Sequence, residues 1–156
     1  MIPLMTRRSV MAAASLAWTV PAHAATPLRT FKNPGCACCD GWADHMRKAG
    51  YSVRVTETPN LDGIRASAGV PSDLAGCHTT LFGTLAAEGH VPAAAIGRLL
   101  AAPANWRGLA VAGMPIGSPG MEVPNEPAET YDIWAFATDG TRRLFARAKG
   151  DRLLAT

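Results

Sequence analysis

Three of the chain's four cysteines fall within four residues, at Cys36-Ala37-Cys38-Cys39. No other feature constrains the fold as strongly. The run puts three soft sulfurs on one turn of backbone, between a short strand-like stretch at Leu28 to Lys32 and a helix-like stretch ending at Gly50. Neighbours such as Cys38 and Cys39 rarely bridge to each other, because a vicinal disulfide is strained. The run therefore suits a thiophilic metal, a redox reaction, or both.

Leu28 to Lys32 reads as a strand and Asn33-Pro34-Gly35 as a turn. A helix is expected from about Cys38 to Ala49, with Cys39, Trp42, Met46 and Ala49 at helical spacing and Gly50 as its stop. Tyr51 to Thr56 alternates like a second strand. Strand, cysteine-bearing turn, helix, strand is how a thioredoxin-like fold opens. That fold places a C-x-x-C pair, here Cys36 and Cys39, at the N-terminus of its first helix. Asn60 caps a short helix over 61–68, ended by Gly69 and Pro71. Thr79 to Phe82 is a third strand, with a return strand near Ala86-Ala87. Pro92 suits the first position of a helix reaching about Ala102. The expected architecture is α/β, thioredoxin-like, with a central mixed sheet flanked by helices. Trp106 to Ala128 shows no periodicity and holds four glycines and four prolines. A structureless loop of that length inside a compact domain is uncommon and often functional. A C-terminal β-hairpin, Tyr131 to Ala137 with Thr141 to Ala146, turns at Asp139-Gly140.

In such a fold the third strand starts against the C-x-x-C. Cys77 occupies that place, and His78 stands where the fold ordinarily has a proline. All four sulfurs would then converge from two segments far apart in sequence. Backbone N–H groups at a helix N-terminus favour anionic ligands, so thiols on the turn should be acidic. Four cysteines can hold one Zn(II) or bridge several Cu(I) ions. The crowded Cys-x-Cys-Cys spacing favours Cu(I), with zinc the lesser candidate. His78 and His90 are further candidate ligands. His45 lies about 10 Å along the helix from Cys38 and reads as an exposed residue. Met114 and Met121 carry thioethers, which suit Cu(I) and not zinc, although methionines also fill core gaps. Trp42 reads as core. No hydrolase, zinc-protease, phosphate-loop or dinucleotide motif is present, and no catalytic residue is assigned.

The ends and totals say where this chemistry would operate. Thr6-Arg7-Arg8-Ser9 is a basic region, Val10 to Val20 an apolar run, and Ala22-His23-Ala24 a small-x-small cleavage site. This reads as a cleaved signal peptide over 1–24, and the twin arginine permits twin-arginine export. One domain over 25–156 is expected to follow, soluble and periplasmic or otherwise exported, where thiols tend to oxidise. The chain carries 15 basic against 12 acidic residues, net +3. Arg7 and Arg8 leave with the leader, so the domain keeps only +1 and no basic stripe for nucleic acid. No second apolar run is long enough for a membrane span.

The blocks Asn33-Pro34-Gly35-Cys36-Ala37-Cys38-Cys39-Asp40-Gly41-Trp42, Ser72 to Thr79, Glu88-Gly89-His90-Val91-Pro92, and Gly108 to Val111 with Gly113 to Glu122 resemble the signatures of domain-of-unknown-function family 411, the CopG-type metal-binding proteins. The resemblance covers nearly all of the chain after the leader. It implies a thioredoxin-like fold, an exported location, an association with copper resistance, and a thiolate copper cluster on Cys36, Cys38, Cys39 and Cys77. Three readings follow. The chain is an exported Cu(I)-binding protein that sequesters copper or exchanges it with donor or acceptor proteins of its compartment. Alternatively it is a thiol–disulfide or copper-coupled oxidoreductase using Cys36 with Cys39 or Cys38. The bland reading is a disulfide-stapled domain.

Overall fold

In a computed structural model describing residues 27–155, the first strand buries every second side chain. In β1 (Leu28–Lys32), Leu28, Thr30 and Lys32 point inward. The expected leader over 1–24 lies outside the described residues. Helix α1 (Ala37–Lys48) follows with Cys36 as its N-cap residue. It carries Asp40 in its first turn and His45, Arg47 and Lys48 in its last, the arrangement the helix dipole favours. Strand β2 (Val53–Glu57) precedes α2 (Leu61–Ala68), where Asn60 Oδ1 accepts the Gly63 N–H at 3.1 Å. Gly69, in the left-handed region at φ +73°, ends α2. A 3-10 turn at Ser72–Leu74 leads into β3 (His78–Phe82), β4 (Leu85–Glu88) and α3 (Ala93–Ala101). Strands β5 (Gly108–Ala110), β6 (Thr130–Phe136), β7 (Arg142–Lys149) and β8 (Arg152–Leu153) complete the described chain.

Among the described residues the strands form one mixed sheet in the order β2-β1-β3-β4-β5-β6-β7-β8. β1 runs parallel to β2 and β4 parallel to β5, and the other neighbours are antiparallel. Strand alternation divides the core between the two faces. Ala87, Leu109, Ile133 and Ala135 pack with Trp42 and Met46 of α1 and with Ile96 and Leu99 of α3. Their neighbours Ala86, Ala110 and Phe136 pack with Ala68, Val70 and Leu74, at and beyond the end of α2. Fixing α1 to the sheet fixes the cysteine turn, because Trp42 and Met46 lie one and two turns past Cys38 and Cys39.

Three features depart from expectation. β5 lies inside the stretch read as aperiodic, and the two-residue β8 was not anticipated. Strands of three and two residues are too short to register a period. β5 is held by its neighbours, parallel to β4 and antiparallel to β6. The third departure is His45, which is half-buried rather than exposed. Its Nε2 accepts the Ala93 N–H at 3.2 Å. It thereby satisfies a free donor at the start of α3, where Pro92 offers no side-chain cap.

Candidate metal centre

The turn after β1 is pinned before any sulfur is considered. Lys32, the last inward residue of β1, is only 4% exposed. Its Nζ donates to the Cys36 carbonyl at 3.2 Å and to Asp40 Oδ2 at 2.8 Å, and lies 3.3 Å from Glu57 Oε1. Cys36 and Cys39 are joined as a disulfide. Cys38 is a free thiol, its Sγ 3.4 Å from Cys36 Sγ. Cys77, the second free thiol, immediately precedes β3, and its Sγ sits 3.8 Å from Cys38 Sγ. The Cys39 sulfur also lies 3.4 Å from the Cys77 carbonyl. The four sulfurs lie within 4.8 Å of one another. Cys39 is fully buried and the other three are partly open to solvent.

Two histidines close the inner side. His90 Nδ1 is 2.7 Å from the Pro119 carbonyl, which can only accept, so Nδ1 carries the proton. Nε2 is then the acceptor facing Cys77 Sγ at 2.8 Å, and the thiol donates. The pair is neutral. The Cys77 thiol is pushed up to about 12, first by burial and then by the adjoining Cys38. Burial lowers the pKa of His90, against the opposing pull of the Pro119 carbonyl and Glu122. His78 is fully buried and packs against Trp42, the rings tilted by 47° with centroids 4.5 Å apart. Its Nδ1 is 3.6 Å from Cys77 Sγ. Burial holds it well below the usual histidine range, with His90 and Arg65 acting in the same direction. His78 Nε2 is the one fully buried side-chain nitrogen or oxygen among the described residues without a hydrogen-bond partner. Cys77, His78 and His90 form a second convergent donor set sharing one sulfur with the first. Four sulfurs and two neutral imidazoles make a donor set for a soft or borderline ion rather than a hard one.

Two solved structures of a copper resistance protein CopG, designated form 1 and form 2, resemble the chain. Each is 31% identical with a TM-score of 0.74, and the alignments cover 80% of this chain for form 1, 79% for form 2, and 98% of each of those chains. A family described as a protein of unknown function, DUF411, matches residues 74–121. The chain belongs to this CopG-type DUF411 family. No curated protein matches it. The DUF411 match takes in Cys77, His78, His90, Met114 and Met121 and begins well after the Cys-x-Cys-Cys run.

The DUF411 segment meets the cysteine turn through its backbone. Gly120 sits at φ +86°, and a Cβ there would fall 2.4 Å from both the Cys38 carbonyl oxygen and the Trp42 nitrogen. Pro119, one residue earlier, supplies the carbonyl that orients His90. Met114 is 54% exposed and Met121 is half-buried. The sequence reading gave no role to Lys32, Arg65 or Glu88. Two of the three nonetheless carried a signal. Lys32 is a charge at an inward-facing strand position, and Glu88 ends the apolar run Leu85-Ala86-Ala87.

Proposed function

We propose that this chain is an exported copper-binding protein of copper resistance that holds Cu(I) on the thiolates of Cys36, Cys38, Cys39 and Cys77, sequestering copper or passing it to a partner. The observation that carries the reading is the convergence of four sulfurs within 4.8 Å from segments some forty residues apart. Thiolates prefer soft ions, and four crowded sulfurs can each bridge two metals, so more than one Cu(I) per chain is expected. His78 and His90 are the next donors inward, with Met114 and Met121 as outer candidates. The named function of the CopG relatives supports copper as the cargo. The strand order β2-β1-β3-β4, with β1 and β2 parallel and β3 antiparallel to both flanking strands, supports a thioredoxin-like frame for the first half. The apolar run and small-x-small site before Ala25 support a cleaved leader and one domain after it. No helix of the described residues is long and apolar enough to cross a membrane.

Loading all four sulfurs requires two electrons to reduce the Cys36–Cys39 bond. The test is therefore anaerobic titration of fully reduced protein with Cu(I), followed by native mass spectrometry. Two or more copper ions per chain are expected. A plateau at one zinc that copper cannot displace would overturn the reading.

The Cys36–Cys39 disulfide itself favours a second reading. In the reduced protein, Cys36 thiolate attacks a partner disulfide and forms a mixed disulfide, releasing one partner thiolate. Cys39 or Cys38 then attacks Cys36 and releases the second, so the partner is reduced and the chain oxidised. Steady turnover in an insulin-reduction assay supports that reading.

A further inference from the structure

We propose that Arg65 and Glu88 form a buried clamp that positions Cys77. The inference rests on the reading of Cys77 as a copper ligand, which gives the position its purpose. Glu88 is fully buried on β4, and the Arg65 side chain on α2 is 15% exposed. Arg65 Nε donates to Glu88 Oε1 at 2.6 Å. Together they hold both polar groups of Gly76, the residue before Cys77. The Gly76 N–H donates to Glu88 Oε1 at 2.8 Å, and Arg65 Nη2 donates to the Gly76 carbonyl at 2.5 Å. Glu88 Oε2 accepts the Thr79 hydroxyl at 2.6 Å, two residues beyond Cys77. The clamp thus brackets the cysteine on both sides without being a hydrogen-bond partner of its sulfur.

Gly76 needs such a clamp. A Cβ at this position would fall 2.6 Å from the Gly89 Cα, so only glycine fits the close approach of the two segments. Glycine has no side chain to lock its own backbone and the widest conformational freedom of any residue. A buried ion pair is a costly way to gain stability, and well-packed apolar residues of similar volume often do as well or better. Apolar residues could not hold a peptide by its N–H and its carbonyl at once. Glu88 also precedes His90 by two residues, and its own carbonyl accepts the Val111 N–H at 3.0 Å. The same strand end therefore carries the clamp and the imidazole 2.8 Å from the Cys77 sulfur.

The test uses Arg65→Met and the milder Arg65→Lys, which keeps the charge but loses the guanidinium fork. Two readouts are taken on folded protein. One is the alkylation rate of Cys77 by iodoacetamide with the Cys36–Cys39 disulfide intact, located by peptide mapping. The other is Cu(I) affinity of the reduced protein against a competing chelator. Residues that orient metal ligands are typically worth about 10–100-fold in affinity. Arg65→Met is expected in that range, with Arg65→Lys at its lower end, and Cys77 alkylation should change in rate in both. Should Arg65→Met fail to fold, Arg65→Lys carries the test. A lower melting temperature with unchanged alkylation and unchanged Cu(I) affinity overturns the proposal. If the native protein takes up no copper, the copper reading fails by itself, and the alkylation rates alone decide the clamp.

Discussion

Replacing Cys77 with serine separates a ligand from a packing residue. Serine keeps the Cβ and a hydroxyl that can still donate to His90 Nε2, so the bond of roughly 1 kcal/mol between them is largely retained. What is lost is sulfur volume at a half-buried position, worth on the order of 1 kcal/mol. In a domain of this size that lowers the melting temperature of the metal-free protein by roughly 3–5 °C. The effect on copper should be far larger. A hydroxyl oxygen is a hard, neutral donor and a poor Cu(I) ligand. Residues that merely orient a ligand contribute about 10–100-fold to affinity, so deleting the ligand itself should exceed about 100-fold, or ~2.7 kcal/mol. Cys77→Ser should therefore reduce copper stoichiometry about as severely as Cys36→Ser while leaving the circular dichroism of the metal-free protein intact. Anaerobic Cu(I) titration with native mass spectrometry reads the first quantity and thermal melting the second. A folded Cys77→Ser protein with full copper loading would refute the convergence argument outright.

Other expectations follow from the same geometry. Gly120→Ala should destabilise the fold by about 2–4 kcal/mol, since its Cβ would meet two backbone atoms of the cysteine turn at a left-handed φ of +86°; an unchanged melting temperature would contradict this. His45 is held below its ordinary pKa of 6.5 by burial, with Asp151 and Glu122 opposing. The unfolded chain therefore binds more protons there, and stability should fall as pH drops below about 6.5; His45→Gln, which keeps an acceptor for Ala93, should make that fall shallower, the remainder coming from the buried His78 and His90. The protein should reduce insulin slowly beside a thioredoxin, because Cys38 lies 3.4 Å from Cys36 and can divert a mixed disulfide; fast turnover that survives Cys77→Ser would favour the enzyme reading.

Much of the first half was legible in the chain itself. Helix α1 announces its inner face through Cys39, Trp42 and Met46 at helical spacing, and these three are fully buried. Gly50 and Gly69 mark helix ends because only residues tolerant of positive φ fit there. The Asp139-Gly140 turn places the hairpin between β6 and β7, and Asp139 Oδ1 accepts the Thr141 N–H at 2.8 Å. These are local matters. Periodicity, caps and turn chemistry are written within a few residues of where they act. The Cys-x-Cys-Cys spacing belongs with them, since its crowding of sulfurs needs no tertiary contact.

What only the tertiary structure decided is which distant groups share a space. Sequence reading could propose that Cys77 approaches Cys38, but the 3.8 Å separation comes from β3 pairing with β1. The proton on His90 Nδ1 is assigned by a carbonyl at Pro119, and the close packing on Cys38 comes from Gly120, both in a loop with no period to read. His45 is half-buried because its partner is the backbone of Ala93, forty-eight residues away and beyond any local pattern. The Arg65–Glu88 clamp was invisible for the same reason. Its purpose lies in a peptide group at Gly76, and a peptide group carries no identity that a sequence can display. Side-chain types set what chemistry is available, and long-range backbone pairing sets where it is assembled.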